Sequence, residues 1–179
     1  MKFLEYKGVI MLLKKELMSR LQDMELFAKT LEIEPFELYL LGGSASILGG
    51  YTNRSTRDFD FIDLDYSSNL GRVFRLLGTF DFLDYCSTIL SPTYKERAIK
   101  LKEFKYLNIY ILSPEDIIVS KIIRLSKKDQ SDIKQLITQS DIDLINQIIR
   151  DVLNRDDLIE TKKITFRDKI IIFKEIYNV

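Results

Sequence analysis

Asp58 and Asp60 stand in the stretch Asp-Phe-Asp-Phe, where acidic and aromatic residues alternate. Side chains alternate along a β-strand, so both carboxylates would project from one face, about 7 Å apart at Cα, with both phenylalanines in the core. Two carboxylates at this spacing repel each other unless a cation lies between them. Oxygen ligands without histidine or cysteine favour Mg²⁺ or Mn²⁺, which complete their shell with water and substrate phosphates. The pair therefore predicts a metal site.

A glycine turn precedes the aspartates. A short apolar strand, residues 36–41, runs into Gly42, Gly43 and Ser44. Glycine lets the backbone approach a ligand closely, and a helix that starts near Ser44 would offer free N–H groups to phosphate. Each motif alone also fits an ordinary turn or a solvent-exposed strand. Together, a phosphate site and a carboxylate metal site suit the chemistry of nucleoside triphosphates.

The composition excludes several other classes of protein. The 179 residues are 46% hydrophobic and include no histidine. Serine–histidine–aspartate hydrolases, histidine-ligated zinc and histidine general bases are therefore excluded. The formal net charge of zero gives no overall field that favours nucleic acid or a membrane. The single cysteine, Cys86, fits a reducing compartment, and the apolar run at residues 8–13 is too short for a signal peptide or a span. We expect a soluble, cytoplasmic protein without membrane contacts.

Hydrophobic spacing predicts a mixed α+β fold, with a β-sheet flanked by helices and a helical C-terminal part. Ser113 begins the clearest helix, with Pro114 at its first position and acidic residues in its first turn. The predicted helices cover 9–31, 67–80, 113–125, 141–155 and 165–177, and the strands include 36–41, 58–64 and 105–112, with 94–104 as either helix or hairpin. We expect a core with its N-terminal helix at 1–112 and a helical part packed on it at 113–179, or a single domain.

Two stretches of the sequence resemble a known signature. "LYLLGGSASILGG" followed by "STRDFDF" is similar to that of the polymerase-beta-type nucleotidyltransferase superfamily, in which a Gly-Gly-Ser turn precedes an Asp-x-Asp strand. Within it, the chain most resembles minimal bacterial AbiEii-like and related uncharacterised nucleotidyltransferases associated with toxin–antitoxin pairs. Later stretches, 94–99 and 107–137, resemble the family's strand, Pro-Glu-Asp helix start, buried lysine and closing aspartates.

The resemblance implies metal-dependent transfer of a nucleotidyl group from a nucleoside triphosphate, with release of pyrophosphate. It assigns the phosphates to Gly43 and Ser44, with Gly42 and Arg57 completing the nucleotide site, and the metal to Asp58 and Asp60. Lys121, and Asp129 or Asp132, match the family's later lysine and aspartate positions, so all three are candidate catalytic residues. Several relatives are toxins of toxin–antitoxin or phage-defence pairs, which implies an antitoxin partner, and some act on tRNA. The acceptor stays open among an RNA, a protein and a small-molecule hydroxyl.

Several residues leave alternatives open. Lys121, Arg124 and Lys128 share a helical stripe that could face a triphosphate or simply solvent. Asp129 and Asp132 could instead cap the following helix, and Arg57 and Arg97 could form salt bridges.

Larger superfamily members place a third carboxylate on a neighbouring strand, where this chain offers Asn108, whose amide oxygen binds Mg²⁺ more weakly than carboxylate. Either Asn108 is not the equivalent residue, or two carboxylates act together with Asp129 or Asp132, or the activity is lost. A catalytically inactive nucleotide- or partner-binding protein is therefore the alternative function. A helical adaptor is a third, for which the stripe Ile142, Ile145, Ile148 and Ile149 would have to be exposed.

Overall fold

Five β-strands form one mixed sheet in the order β3-β2-β1-β5-β4. The computed structural model describes residues 2–52 and 56–179, so part of the predicted connector, residues 53–55, lies outside the described residues. The strands are β1 (Glu37–Leu41), β2 (Phe59–Ile62), β3 (Phe80–Leu83), β4 (Ile99–Lys100) and β5 (Asn108–Ile111). The helices are α1 (Lys2–Thr30), α2 (Gly42–Leu48), α3 (Gly71–Phe74), α4 (Tyr94–Arg97), α5 (Pro114–Ile122), α6 (Lys127–Leu136), α7 (Ile142–Leu153) and α8 (Glu160–Tyr177). The predicted α+β fold, with helices flanking a mixed sheet and a helical C-terminal part, is confirmed.

The chain forms two compact units. The first contains residues up to 82 together with 98–111, and the second contains 83–97 and 112–179. The predicted division into a core at 1–112 and a helical part at 113–179 remains a prediction. No helix in the described ranges is both long enough and apolar enough to span a bilayer.

The register of the central strands sorts the sheet into two faces. β1 pairs antiparallel with β2 and parallel with β5. Leu40 lies opposite Phe61 on one side and Ile111 on the other, and all three are buried on one face. Leu41 lies opposite Asp60, which places these two on the other face.

In the first unit, α1 packs against α2 and against residues 71–77. Its buried residues recur at three- and four-residue spacing: Leu17, Leu21, Met24 and Ala28. Glu25 accepts hydrogen bonds from the backbone N–H groups of Lys105, Tyr106 and Leu107 at 2.8 to 3.3 Å. This carboxylate ties the helix to the loop before β5.

The segment predicted as a helix over 67–80 is helical from 68 to 77, but only its middle turn is an α-helix. α3 is a single turn between two 3₁₀ turns, Ser68–Leu70 and Arg75–Leu77, and Gly78 ends the segment at φ 76°. Leu70, Val73 and Leu77 are buried, a spacing that a tight 3₁₀-rich segment satisfies as well as a regular helix does. The predicted helix is therefore present over 68–77, but most of it has 3₁₀ geometry and it ends before residue 80.

In the second unit, α5 packs against α6, α7 and α8. The predicted start of α5 is confirmed, because the Ser113 hydroxyl accepts a hydrogen bond from the Asp116 N–H at 3.1 Å. Of the stripe Ile142, Ile145, Ile148 and Ile149, the last three are buried and Ile142 is half-buried. That stripe is core, which removes the main support for the helical adaptor.

Arg155 holds segment 83–97 against the rest of the second unit. Its guanidinium is almost fully buried, donates to the carbonyls of Tyr85, Thr88 and Leu90 at 2.9 Å, and lies 3.7 Å from the Tyr85 ring centroid. A buried arginine with this many acceptors acts as a structural cross-link.

Candidate functional site

The glycine turn and the aspartate strand meet at Gly42 and Asp60. β1 ends at Leu41, which lies opposite Asp60, and Gly42 follows it at φ 72°. A Cβ added to Gly42 would collide with Oδ2 of Asp60 and lie 3.3 Å from its Cγ. Both the positive φ and the close approach require glycine at this position. The Asp60 carboxylate therefore lies directly against the turn.

A second contact joins the two motifs one residue further along. A Cβ on Gly43 would lie 2.9 Å from Cγ2 of Thr56, closer than van der Waals contact allows. The Thr56 hydroxyl in turn accepts a hydrogen bond from the Asp58 N–H at 3.4 Å. Asp58 is exposed and immediately precedes β2. Thr56 thus positions the backbone of Asp58 beside the turn, a role that its place two residues before Asp58 could have suggested.

Ser44 carries a buried hydroxyl in α2. The residue is fully buried, and its Oγ has no hydrogen-bond partner within the described ranges. Leaving such a group unsatisfied costs about 1–3 kcal/mol. Ser46 contrasts with it, since its hydroxyl donates to the Gly42 carbonyl at 2.8 Å and closes the turn. The unsatisfied hydroxyl of Ser44 is suited to a ligand oxygen.

Arg57 lies beside α1. Its Nε is 3.5 Å from Oε2 of Glu16, and its side chain is largely exposed. Its backbone carbonyl accepts a hydrogen bond from Arg20 at 3.0 Å. The structure gives Arg57 the surface ion pair that the sequence left open, and its part in nucleotide binding remains a prediction.

Asn108 lies too far along the sheet to complete a site at Asp60. It is opposite Glu37, four residues before the Leu41 that faces Asp60. Four residues correspond to roughly 13 Å along a strand. Its Oδ1 also accepts a hydrogen bond from Lys100 Nζ at 2.6 Å. Asn108 is therefore not the equivalent of the third carboxylate.

The residues present fit Mg²⁺ or Mn²⁺ through two carboxylates rather than three. Among the described residues, no group of three or more histidine, cysteine, aspartate or glutamate side chains is placed to hold a metal. Mg²⁺ is commonly bound by one or two carboxylates with water and substrate phosphates supplying the rest. Asp58 and Asp60, beside a turn with an unsatisfied buried hydroxyl, agree with that donor set.

The later predicted residues form a buried ion-pair cluster in the second unit. Lys121 Nζ on α5 lies 2.8 Å from Oδ2 of Asp132 and 3.6 Å from Oδ1 of Asp129, both on α6. The exposed Arg124 donates to Oδ1 of Asp129 at 2.8 Å. These contacts attach α5 to α6, so each residue has a structural role. Their predicted catalytic role is untested.

Asp129 also caps α6, as the sequence alternative held. Its carboxylate accepts hydrogen bonds from the hydroxyl and the N–H of Ser126 at 2.7 and 3.2 Å, and the Ser126 hydroxyl accepts from the Asp129 N–H. Burial raises the pKa of the Asp129 carboxyl, but hydrogen bonds from Ser126 and Arg124 and the nearby charges of Arg124 and Lys121 outweigh it. The pKa therefore lies below its ordinary value.

Arg97 forms the salt bridge that the sequence left as an alternative. Its guanidinium donates to both carboxylate oxygens of buried Asp116, at 2.8 and 2.9 Å. Burial raises the pKa of Asp116 above its ordinary value, although Arg97 and Ser113 both donate to the carboxylate. The aspartate of the Pro-Glu-Asp helix start therefore forms a buried ion pair with Arg97. Asp116 is not recognisable as half of an ion pair from the sequence, because its partner lies in a different segment.

A mixed sheet whose Gly-Gly-Ser turn packs against an aspartate on the neighbouring antiparallel strand is the arrangement expected of a nucleotidyltransferase. The family model of a nucleotidyltransferase of unknown function (DUF6036) matches residues 15–176, and the chain belongs to this family. The prediction of a nucleotidyltransferase is thereby confirmed at the level of the family, and the AbiEii-like group remains a prediction. Searches of curated proteins and of solved structures found no match.

Proposed function

We propose that the chain transfers a nucleoside monophosphate from a nucleoside triphosphate to a hydroxyl group, with release of pyrophosphate. The contact between Gly42 and the Asp60 carboxylate carries the proposal, because it brings the two motifs into one place. Membership of a nucleotidyltransferase family supports the same reaction class. In the reaction, the acceptor oxygen bonds to the α-phosphorus while the bond between that phosphorus and the bridging oxygen to the β-phosphate breaks.

The proposed roles follow from chemistry that needs positioning and charge more than covalent catalysis. Asp58 and Asp60 would hold Mg²⁺ or Mn²⁺, which when bound supplies charge neutralisation for the phosphates and lowers the pKa of the attacking hydroxyl. The backbone at Gly43 and the hydroxyl of Ser44 would hold phosphate oxygens. Because the sequence has no histidine, an aspartate carboxylate or water would accept the hydroxyl proton.

The charged cluster in the second unit has a structural role in this proposal. Lys121, Asp129 and Asp132 are engaged with one another, so their first effect is to fix α5 and α6. We also propose that these three residues contribute directly to catalysis, and this part of the proposal rests only on the resemblance to the superfamily.

The test measures transfer of label from α-³²P nucleoside triphosphates in Mg²⁺ or Mn²⁺, with cellular RNA and protein offered as acceptors. Asp60→Asn and Asp58→Asn should each reduce labelling by roughly a hundredfold or more, because metal-assisted charge stabilisation is worth several kcal/mol. Asp81→Asn is the matched control, since Asp81 is exposed in the same Phe-Asp-Phe setting on β3. Undiminished labelling by a folded Asp60→Asn protein would contradict the proposal.

The acceptor class is part of the proposal and stays open among RNA, a protein and a small-molecule hydroxyl. A toxin of a toxin–antitoxin or phage-defence pair, with an antitoxin partner, rests on the resemblance. A cytoplasmic location agrees with a lone, free Cys86. Slowed growth on induced expression, relieved by Asp60→Asn, would support the toxin role, and equal growth with and without expression would count against it.

The position of Asn108 favours a second candidate, a catalytically inactive nucleotide- or partner-binding protein. With Asn108 displaced from Asp60 along the sheet, the described residues offer the metal two carboxylates here. This candidate predicts nucleotide binding without pyrophosphate release. Metal-dependent pyrophosphate formation by the purified protein would eliminate it.

A further inference from the structure

An open groove of about 560 Å³ lies in the second unit, between α6 and the end of α8. The lining residues are Lys127, Gln130, Ser131, Lys134, Ile176 and Tyr177. The four from α6 stand at i, i+3, i+4 and i+7, so they form one face of that helix. The volume falls within the range of small-molecule sites.

Two lysines give this groove a single sign of charge. Lys127 and Lys134 are exposed, and neither has an ion-pair partner in the part of the chain that the structure describes. The acidic residues of the same helix, Asp129 and Asp132, are engaged by Lys121 and Arg124, and none of the described residues that line the groove carries a carboxylate. Seven helical residues separate the two lysines by about 10 Å at Cα.

The opposite wall is aromatic and apolar. The Tyr177 hydroxyl donates to the Gln130 carbonyl at 2.9 Å, and its ring lies 5.2 Å from that of Phe173, so the ring is fixed in place. A tyrosine phenol is neutral near pH 7, and burial raises the pKa of Tyr177 further. Ile176, about half exposed, extends this wall.

We propose that this groove binds a nucleotide chain through two of its phosphates and one base, as part of an oligonucleotide or a nucleoside polyphosphate. Two unpaired lysines about 10 Å apart can engage two phosphates of one ligand. A fixed aromatic ring beside them offers a base a stacking surface, and this combination of cations and aromatics is typical of single-strand binding. The groove is a binding site additional to the transfer site, and the proposal does not depend on the proposed reaction.

The experiment measures fluorescence anisotropy of the full chain with two probes, a labelled single-stranded RNA of about ten nucleotides and a labelled ATP analogue. EDTA is present throughout, so that metal-dependent binding at Asp58 and Asp60 does not contribute. The Lys127→Ala/Lys134→Ala variant should bind at least one probe roughly tenfold more weakly. For RNA, the slope of log K against log salt should fall by about 1.4, since each phosphate contact contributes about 0.7.

Two sets of control variants distinguish binding in the groove from attraction to general surface charge, and the contribution of the lysines from that of the Tyr177 ring. Lys102→Ala/Lys162→Ala removes two exposed lysines outside the groove and should leave binding unchanged. Tyr177→Leu should weaken binding about fivefold or more through lost stacking, whereas Tyr177→Phe keeps the ring and its contact with Phe173 and should weaken binding less than Tyr177→Leu does. Weakened RNA binding alone would identify an oligonucleotide, and weakened ATP binding alone a free nucleotide. Unchanged binding of both probes in the double lysine variant would overturn the proposal, whether or not the chain transfers label.

Discussion

At the scale of single residues, the candidate site depends on the absence of a side chain at Gly42. Gly42 combines a positive φ with contact to the Asp60 carboxylate, so any side chain there would displace that carboxylate. The sequence predicted that glycine would bring backbone close to a ligand, but not that it would make room for an acid of the same protein. Such a contact depends on the pairing of Leu41 with Asp60, which the local pattern does not encode.

Ser44 gives the sharpest prediction at this scale. Ser44→Ala removes a fully buried hydroxyl without a partner in the described ranges, so thermal stability should be unchanged or slightly higher. If the hydroxyl holds a phosphate oxygen, affinity for the nucleoside triphosphate should fall about tenfold, close to the value of one hydrogen bond to a charged group. Calorimetric unfolding and equilibrium nucleotide binding measure the two effects.

Ser46→Ala is the matched control for that prediction. The Ser46 hydroxyl is satisfied by the Gly42 carbonyl, so its loss should lower stability by about 1 kcal/mol. A Ser44→Ala protein that loses stability and keeps full nucleotide affinity would assign Ser44 a purely structural role.

At the scale of elements, the sequence predicted the strands and helix ends that a single local pattern specifies. The glycines after the apolar stretch predict the end of β1, and alternating acidic and aromatic residues predict β2. A serine N-cap predicts the start of α5, and each of these patterns covers only a few residues. The segment 67–80 was predicted as a helix and is helical over 68–77, but its apolar spacing did not reveal that most of these residues have 3₁₀ geometry. The register that removes Asn108 from the site arises between strands distant in sequence, so no local pattern contains it.

The junction of α5 and α6 supports a prediction at the same scale. Lys121→Met leaves Asp132 as a buried carboxylate without its lysine, which should cost about 3–5 kcal/mol of stability. The double variant Lys121→Met/Asp132→Leu replaces the pair by apolar groups and should recover most of that loss. Chemical denaturation of the three proteins measures the coupling.

The same variants separate structure from catalysis. Recovery of both stability and label transfer in the double variant would make the pair purely structural. Recovery of stability with transfer still absent is the result expected if Lys121 also contributes to catalysis. A Lys121→Met protein as stable as the parent would contradict the structural role of the pair.

At the scale of the whole molecule, the predicted site residues belong to two units. Gly42, Ser44, Asp58 and Asp60 lie in the first, and the lysine–aspartate cluster lies in the second. The sequence predicted the fold class and the residue types of both groups, since composition and motif order express them. The displacement of Asn108 from Asp60 and the partners of the buried charges required the tertiary structure.

Global stability should depend on pH through Asp129. Its pKa in the folded protein lies below the ordinary value of 3.8, so the folded state binds this proton less tightly than the unfolded chain. The stabilisation is complete above about pH 3.8 and is lost as pH falls through the lower folded pKa. Asp129→Asn should therefore be less stable at pH 7, and the difference from the parent should shrink towards pH 2. A difference that stays constant between pH 7 and pH 2 would contradict this assignment.

The central claim is that the Gly-Gly-Ser turn and the aspartates form one nucleotide and metal site. The most direct measurement is an anomalous difference map from a crystal of the protein grown with Mn²⁺ and a non-hydrolysable nucleoside triphosphate. The account predicts a manganese peak at about 2–2.5 Å from carboxylate oxygens of Asp58 and Asp60, with the triphosphate against Gly43 and Ser44. Nucleotide and manganese bound elsewhere, with the two carboxylates free of metal, would contradict it.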